Sequence, residues 1–218
     1  MFKFGNHIRY KGFTLVEILI VLGVIGIVSA ITLPSVIHKI QMSVLQIQFK
    51  KAYSILNNAI EKTKVDTEYT LVCNSSEGND CTEFHNQLEK NLKILKKCKT
   101  KSFENGCIGD VKGINQVIID ENSTNYNNIY PFYLNSHIKN SNQSFLVSNG
   151  MSVIYYSRKL RGMYAVDING LKGPNRWGYD VFAFGLSENG HKLMCSYYLN
   201  EFFEKGGKSC KDMMINNK

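Results

Sequence analysis

Residues 13–33 read FTLVEILIVLGVIGIVSAITL, a run of 21 residues whose only charged side chain is Glu17. At 1.5 Å per residue, a helix of this length would measure roughly 31 Å, close to a bilayer hydrocarbon thickness of about 30 Å. Lys3, Arg9 and Lys11 precede the run, and no acidic residue does. The positive-inside rule therefore predicts one membrane-spanning helix, with the amino terminus in the cytoplasm and the rest of the chain on the other side.

Glu17 distinguishes two interpretations of this segment, a signal peptide that is removed and an anchor that is retained. A carboxylate inside a membrane helix costs roughly 2.5 to 3.5 kcal/mol on insertion scales, unless it finds a partner. A disposable signal peptide has no use for such a charge. Glu17 therefore favours a retained helix in which the carboxylate has a purpose.

Gly12 and the five residues after it, GFTLVE, follow a short basic leader and open the apolar run. This arrangement resembles the processing motif of type IV prepilins and type II secretion pseudopilins. The resemblance implies that a prepilin peptidase cuts between Gly12 and Phe13 and then methylates the new amine of Phe13. It also implies that Glu17 pairs with the amino terminus of an adjacent subunit, since a paired charge in a low-dielectric helix bundle costs much less than an isolated one.

Pro34 extends the resemblance, because many pilins carry a proline at this distance into the mature helix. Proline removes one backbone hydrogen bond and its ring clashes with the preceding turn, which kinks or locally melts a helix. Gly23 and Gly26 would ease such loosening. We therefore assign Glu17 and Pro34 to assembly.

A second periodic segment, residues 35–63, follows the apolar run. Its apolar residues recur at steps of three or four, which predicts an amphipathic helix that continues into the extracytoplasmic head. The stripe can cover the core of the head, and its first part, residues 35–45, can also pack against other helices in a filament.

All six cysteines lie beyond the apolar run, at Cys73, Cys81, Cys98, Cys107, Cys195 and Cys210. The predicted topology places them outside the cytoplasm, where disulfides persist. Six cysteines allow 15 pairings. Cys73 with Cys81 and Cys98 with Cys107 could each close a small loop. A Cys195–Cys210 bond would tie down the tail, stabilising it by roughly 3 kcal/mol, and would resemble the carboxyl-terminal disulfide loop of many pilins.

The remaining chain predicts an α+β head. Residues 64–114 read as a cysteine-containing insertion with a short amphipathic helix from Glu83 to Lys97, whose lysines would form a solvated helix face. Residues 115–218 predict an antiparallel sheet with tight turns at Asn149-Gly150 and Glu188-Asn189-Gly190. The predicted strands are Gln116 to Ile119, Ser144 to Val147, Met151 to Tyr156, Met163 to Ile168, Tyr179 to Phe184 and Leu193 to Leu199.

These segments give a domain organisation of five parts. Residues 1–12 form a prepilin leader, and residues 13–34 form a transmembrane and assembly helix. Residues 35–63, 64–114 and 115–218 follow as the amphipathic helix, the insertion and the sheet with its disulfide-closed tail. The predicted fold is α+β, a long amino-terminal helix packed on a small antiparallel sheet, as in pilins.

The loop from Asp167 to Asp180, DINGLKGPNRWGYD, supports two interpretations. Its oxygen ligands suit calcium, held by Asp167, Asn169, Asp180 and the backbone carbonyl of Leu171; a similar loop occurs in many pilin-like and pseudopilin heads. The same residue types build metal-free turns. Lys172 and Arg176 oppose a cation and could instead pair with Asp167 and Asp180 respectively. The sequence therefore predicts no cofactor unless this loop binds calcium.

The sequence argues against an enzyme, because its five histidines are scattered and no nucleophile motif or metal triad accompanies them. The formal charge of +8 falls to +5 when residues 1–12 are left out. This excess is moderate and permits weak attraction to anionic lipid. The absence of a dense basic run interleaved with aromatics argues against nucleic-acid binding by this chain alone.

The function that these observations favour is a structural one: a pilin, minor pilin or pseudopilin of a type IV pilus or type II secretion filament. Its expected partners are other pilin subunits, prepilin peptidase, the inner-membrane assembly platform and membrane lipid. It would sit in the inner membrane as a single-pass protein before assembly and in a periplasmic or extracellular filament afterwards. The alternative is a membrane-anchored binding module or adhesin exported with a prepilin-like amino terminus.

Overall fold

The computed structural model describes residues 12–71, 73, 80–113, 136–157, 161–187, 190, 192–196 and 203–215. The predicted leader up to residue 11, the predicted strand Gln116 to Ile119 and the end of the last predicted strand, residues 197–199, lie outside these residues. The chain forms two compact units, residues 1–43 and residues 44–218.

A single long helix, α1, runs from Leu15 to Asp66. It contains both the apolar run and the amphipathic segment that the sequence predicts as helical. The helix continues through Pro34. A proline at this position is therefore compatible with a bend in α1, but no melted turn interrupts the helix here.

The second unit contains a six-stranded antiparallel sheet whose strands follow one another in chain order. This meander confirms the predicted α+β class, a long apolar helix with an antiparallel sheet. The strands are β1 (Ile94–Cys98), β2 (Ser144–Val147), β3 (Ser152–Ser157), β4 (Arg161–Asp167), β5 (Val181–Leu186) and β6 (Leu193–Cys195). Two short helices, α2 (Thr82–Lys90) and α3 (Cys210–Met214), and one π-helical turn (His137–Ser141) complete the described elements.

One face of the sheet packs against helices. Phe49 of α1 is fully buried, and its ring lies 4.8 Å from that of Phe182 and 5.6 Å from that of Phe184, both on β5. Helix α2 lies over neighbouring strands, where the His85 ring is 4.7 Å from the ring of Tyr155. Aromatic contacts of this kind bury large areas and account for much of the stability of such a core.

The opposite face of the sheet is covered by the chain between residues 98 and 113. Ile108 and Val111 are buried there in one cluster with Ile154 and Trp177. The Trp177 indole N–H donates a hydrogen bond of 3.0 Å to the backbone carbonyl of Lys112, which satisfies its polar atom in the core. The head therefore has a core on each side of its sheet.

The predicted helix from Glu83 to Lys97 is wrong beyond Lys90. Helix α2 ends there, and the segment from Ile94 to Cys98 forms the edge strand β1, paired with β2. Pairing with β2 prevails over the helical spacing of the leucines. As a result, the 64–114 segment, expected to be an insertion separate from the sheet, supplies both an edge strand and the cover of one sheet face.

The six cysteines form three disulfides, and none of the described cysteines is free. The bonds join Cys73 to Cys81, Cys98 to Cys107 and Cys195 to Cys210. The first two are the short-range pairs considered above, and the third is the bond expected to tie down the tail. The first bond connects the chain after α1 to the start of α2, the second closes the loop after β1, and the third fixes α3 to β6.

Replacing Phe49 by Ala should destabilise the head by about 3 to 5 kcal/mol, because it removes a fully buried ring from the contact between α1 and β5. The measurement is denaturant unfolding of the full chain in detergent, followed by the fluorescence of Trp177, the only tryptophan and a buried one. Ile47→Ala is the matched control, since Ile47 lies on the same helix and is 67% exposed. Equal unfolding midpoints for the two variants would contradict the packing described.

Candidate functional site

The amino-terminal part of α1 presents exposed apolar side chains. Every large apolar side chain between Phe13 and Ile40 is between 44% and 83% exposed. Among the described residues, one helix, α1, is both long enough and apolar enough to cross a membrane. An apolar surface this extensive requires lipid or other protein to cover it.

A capping box begins this helix. The backbone N–H and the side-chain hydroxyl of Thr14 both donate to Oε2 of Glu17, each at 2.8 Å. In return, the backbone N–H of Glu17 donates to the Thr14 hydroxyl at 3.2 Å. This reciprocal arrangement satisfies backbone donors that a helix start leaves unpaired.

Thr14 is a residue that the sequence reasoning missed, although the spacing Thr-x-x-Glu ahead of an apolar run is a recognised capping signal. The capping box gives the Glu17 carboxylate a partner within its own chain. Gly12, Phe13 and Thr14 precede the helix and are exposed. The predicted cleavage position, between Gly12 and Phe13, therefore lies in accessible, non-helical chain.

The second predicted site, the loop between β4 and β5, has two buried carboxylates. Oδ1 of Asp167 accepts hydrogen bonds from the backbone N–H groups of Asn169, at 3.2 Å, and Gly170, at 2.8 Å. The carboxylate of Asp180 accepts from the backbone N–H groups of Asn175, at 2.8 Å, and Arg176, at 2.6 Å. The bonds to Asp167 are those of an Asx turn, whereas Asp180 accepts from residues four and five positions earlier; both sets stabilise the loop.

Asn175 completes the loop, and the sequence reasoning missed it too. With its amide oriented so that nitrogen meets acceptors, its side chain donates to Oδ2 of Asp167 at 3.1 Å and to the carbonyl of Lys172 at 2.9 Å. Its oxygen then accepts from the backbone N–H of Asp110 at 3.2 Å. One asparagine thus connects the loop to the segment that covers the sheet.

The ion pairs expected in this loop are arranged differently. The Nε of Arg176 donates to Glu204 at 2.6 Å, and its guanidinium lies 4.5 Å from the ring of Tyr179. Arg176 contacts Asp180 through its backbone: its N–H donates to the Asp180 carboxylate, and its carbonyl accepts from the Asp180 N–H at 3.2 Å. Glu204 lies 28 residues further along the chain, and no local pattern indicates it.

Of the four predicted calcium ligands, the structure brings Asp167, Asn169 and Asp180 together, while the side chain of Leu171 is exposed. Oδ1 of Asn169 is buried and has no hydrogen-bond partner among the residues that the structure describes. Within the part of the chain that the structure describes, no cluster of three or more His, Cys, Asp or Glu side chains suits a metal ion.

Burial, together with the charge of Asp180, raises the pKa of Asp167 well above its ordinary value, and the two backbone hydrogen bonds only partly oppose this. Burial likewise raises the pKa of Asp180, against the hydrogen bonds from Arg176 and Asn175. Desolvation disfavours the charged form of both groups. The loop therefore holds two buried carboxyl groups whose charged forms are disfavoured, mainly by burial.

Comparison with known families identifies the prokaryotic N-terminal methylation motif at residues 8–33. This motif is the signature of type IV pilins and pseudopilins, so residues 8–33 resemble the amino terminus of the proteins that prepilin peptidase processes. Together with the apolar helix, it indicates anchoring in a membrane. Proteins with this motif are structural rather than enzymatic and interact with other pilins. No curated protein and no solved structure matches the chain.

The raised pKa values of Asp167 and Asp180 predict a pH dependence of stability. In the folded chain these groups bind protons more tightly than in the unfolded chain, so their contribution is fully present below an ordinary pKa of about 4. It is lost as pH rises through the raised folded pKa. Asp167→Asn removes the charge and keeps an oxygen for Asn169 and Gly170. We expect its melting temperature to fall less than that of the parent between about pH 5 and pH 7.

The control for this measurement is Glu83→Gln, which removes an exposed carboxylate far along the chain from the loop. Its pH profile should follow that of the parent. Identical profiles for Asp167→Asn and the parent would show that the pKa of Asp167 is not raised in the folded chain.

Proposed function

We propose that this chain is a structural subunit, a pilin, minor pilin or pseudopilin, of a type IV pilus or type II secretion filament. The observation that carries the proposal is the exposed apolar surface of residues 13–40, with Glu17 near its start. A membrane anchor needs lipid-facing apolar residues only. A carboxylate at the start of that surface suits a helix that leaves the lipid and packs against copies of itself.

The proposed sequence of events starts with the chain in the inner membrane, amino terminus in the cytoplasm and head outside. Prepilin peptidase removes the leader after Gly12 and methylates Phe13. The assembly platform then moves the helix from lipid into a bundle of helices. Van der Waals contacts and paired polar groups hold helices together in such surroundings. The head and its three disulfides remain outside the cytoplasm, in the periplasm or at the cell surface.

Glu17 has two states in this proposal. In the membrane, its carboxylate accepts the two hydrogen bonds from Thr14. In the filament, it pairs with the positively charged amine of Phe13 in an adjacent subunit. The ion pair orders the subunits along the axis, because only one axial position brings amine and carboxylate together.

Glu17→Ala and Glu17→Gln separate the capping role from the ionic role. Gln can keep the capping box but carries no charge. We expect both variants to be cleaved after Gly12, and both to lose about tenfold or more of their incorporation into filaments, because the amine would lack its counter-ion. The measurement is the fraction of subunit recovered in sheared filaments.

Normal incorporation of the Gln variant would assign Glu17 to capping alone and remove the proposed ion pair. If the parent chain itself stayed in the membrane as an anchored monomer under assembling conditions, the alternative function, a membrane-anchored binding module or adhesin, would replace the filament subunit.

Calcium in the loop from Asp167 to Asp180 stays a prediction. What supports it is the burial of two carboxyl groups, which a cation would stabilise in their charged form, and the oxygen of Asn169, which has no hydrogen-bond partner among the described residues. Excess calcium should then raise the melting temperature of the parent at neutral pH and leave that of Asp180→Ala unchanged. Magnesium at the same concentration is the control for ionic strength. No shift with calcium would leave a metal-free turn.

A further inference from the structure

The charges of the head are separated along the chain. Residues 61–89 contain seven carboxylates and two lysines, a formal charge of −5. Residues 90–112 contain seven lysines and two carboxylates, a formal charge of +5. Two adjacent segments thus carry equal and opposite formal charge.

The described residues of the acidic segment form the carboxyl end of α1, the turn that follows and helix α2 up to Glu89. Its exposed carboxylates accompany two exposed apolar side chains, Val65 at 60% and Tyr69 at 58%. The Cys73–Cys81 bond holds the two helices' ends in this region together. We call this the acidic surface; it consists of Val65, Asp66, Glu68, Tyr69, Asp80 and Glu83, all exposed.

The basic segment folds into the edge strand β1 and the loop closed by the Cys98–Cys107 bond. Lys97 pairs with Glu89 and Lys101 with Glu104, so both are neutralised within the chain. Lys93, Lys96 and Lys99 are exposed and make no ion pair with the described residues. With Leu95, which is 66% exposed, these three lysines form what we call the basic surface.

Backbone pairing at the β1 edge is disfavoured, because lysines on an edge strand oppose the addition of another strand. The basic surface is therefore suited to side-chain contacts. An exposed leucine with cations around it complements an exposed valine and tyrosine with carboxylates around them. Apolar centres with charged rims are the usual anatomy of protein interfaces.

A second copy of this chain provides the complementary surface. A two-fold contact would pair the acidic surface of each copy with the basic surface of the other and would close at two copies. A head-to-tail contact instead places the acidic surface of one copy on the basic surface of the next, and such heterologous contacts repeat without closing into open filaments. Charge complementarity also fixes the register between the partners.

We propose that the basic surface of each head docks on the acidic surface of the next copy, as a second subunit contact besides the one made by the amino-terminal helices. The inference rests on the proposed filament function. It assigns the head an ionic, salt-sensitive part in assembly, and the helix an apolar one.

The test uses the full chain, produced with its assembly machinery, with a photoreactive benzophenone amino acid at Leu95 or, separately, at Ile25. Ile25 lies on the exposed apolar part of α1 and reports helix packing. We expect both positions to crosslink to another copy of the chain, and mass spectrometry to place the Leu95 product at residues 61–83.

The two positions separate the two proposals. Crosslinks from Ile25 alone would overturn the head contact and leave the filament subunit standing. An absence of self-crosslinks at both positions would overturn the filament function. A Leu95 crosslink to nucleic acid or to a different protein, with none to the acidic surface, would also overturn the head contact.

Charge reversal supplies the second arm. The triple variant Lys93→Glu, Lys96→Glu, Lys99→Glu should reduce the Leu95 crosslink about tenfold, because attraction at the rim becomes repulsion. Adding Asp66→Lys, Glu68→Lys and Glu83→Lys to the same chain should restore it, which misfolding could not do. The matched control reverses Lys192, Lys205 and Lys211, exposed lysines outside the basic surface. Equal loss in the control, or no recovery in the doubly reversed chain, would overturn the proposal.

Discussion

The apolar surface of residues 13–40 is the constraint on which the rest of this protein depends. A helix of this length and composition cannot be left in water, and the described part of its own chain leaves it uncovered. Only lipid or other apolar helices can meet that requirement. The proposed direction of insertion rests on the lysines and arginine before it, and it would place every cysteine where disulfides are stable.

The head solves a different problem, that of covering both faces of a small sheet. Helices α1 and α2 cover one face, and the chain after β1 covers the other, where it has little regular structure of its own. Such a segment would lose much conformational entropy on ordering. The Cys98–Cys107 bond and buried anchors such as Ile108 and Val111 offset that loss. The disulfides therefore stand where secondary structure is sparse.

Sequence predicts this protein best where the pattern is long or the turn chemistry is specific. The run of 21 mostly apolar residues identifies α1, and Asn149-Gly150 locates the β2–β3 hairpin. The prediction fails at Ile94–Cys98, because pairing with β2, some 50 residues away, prevails over helical spacing. At the candidate sites, the Thr14–Glu17 capping box could be predicted from the local sequence. Asn175 reaching Asp110 and Arg176 reaching Glu204 could not, since these contacts depend on tertiary structure that no local pattern encodes.

The capping box at the start of α1 bears on how filaments come apart. In the proposed transfer of α1 between membrane and filament, the carboxylate of Glu17 always has a partner. It is hydrogen-bonded to Thr14 in lipid and ion-paired in the filament. The free-energy difference between two satisfied states is smaller than that between a satisfied and a naked charge. A subunit that leaves the filament therefore has a stable form to return to in the membrane. Depolymerisation would then return subunits to the membrane for reuse. The assembly platform, rather than the subunit, would decide whether subunits enter or leave the filament.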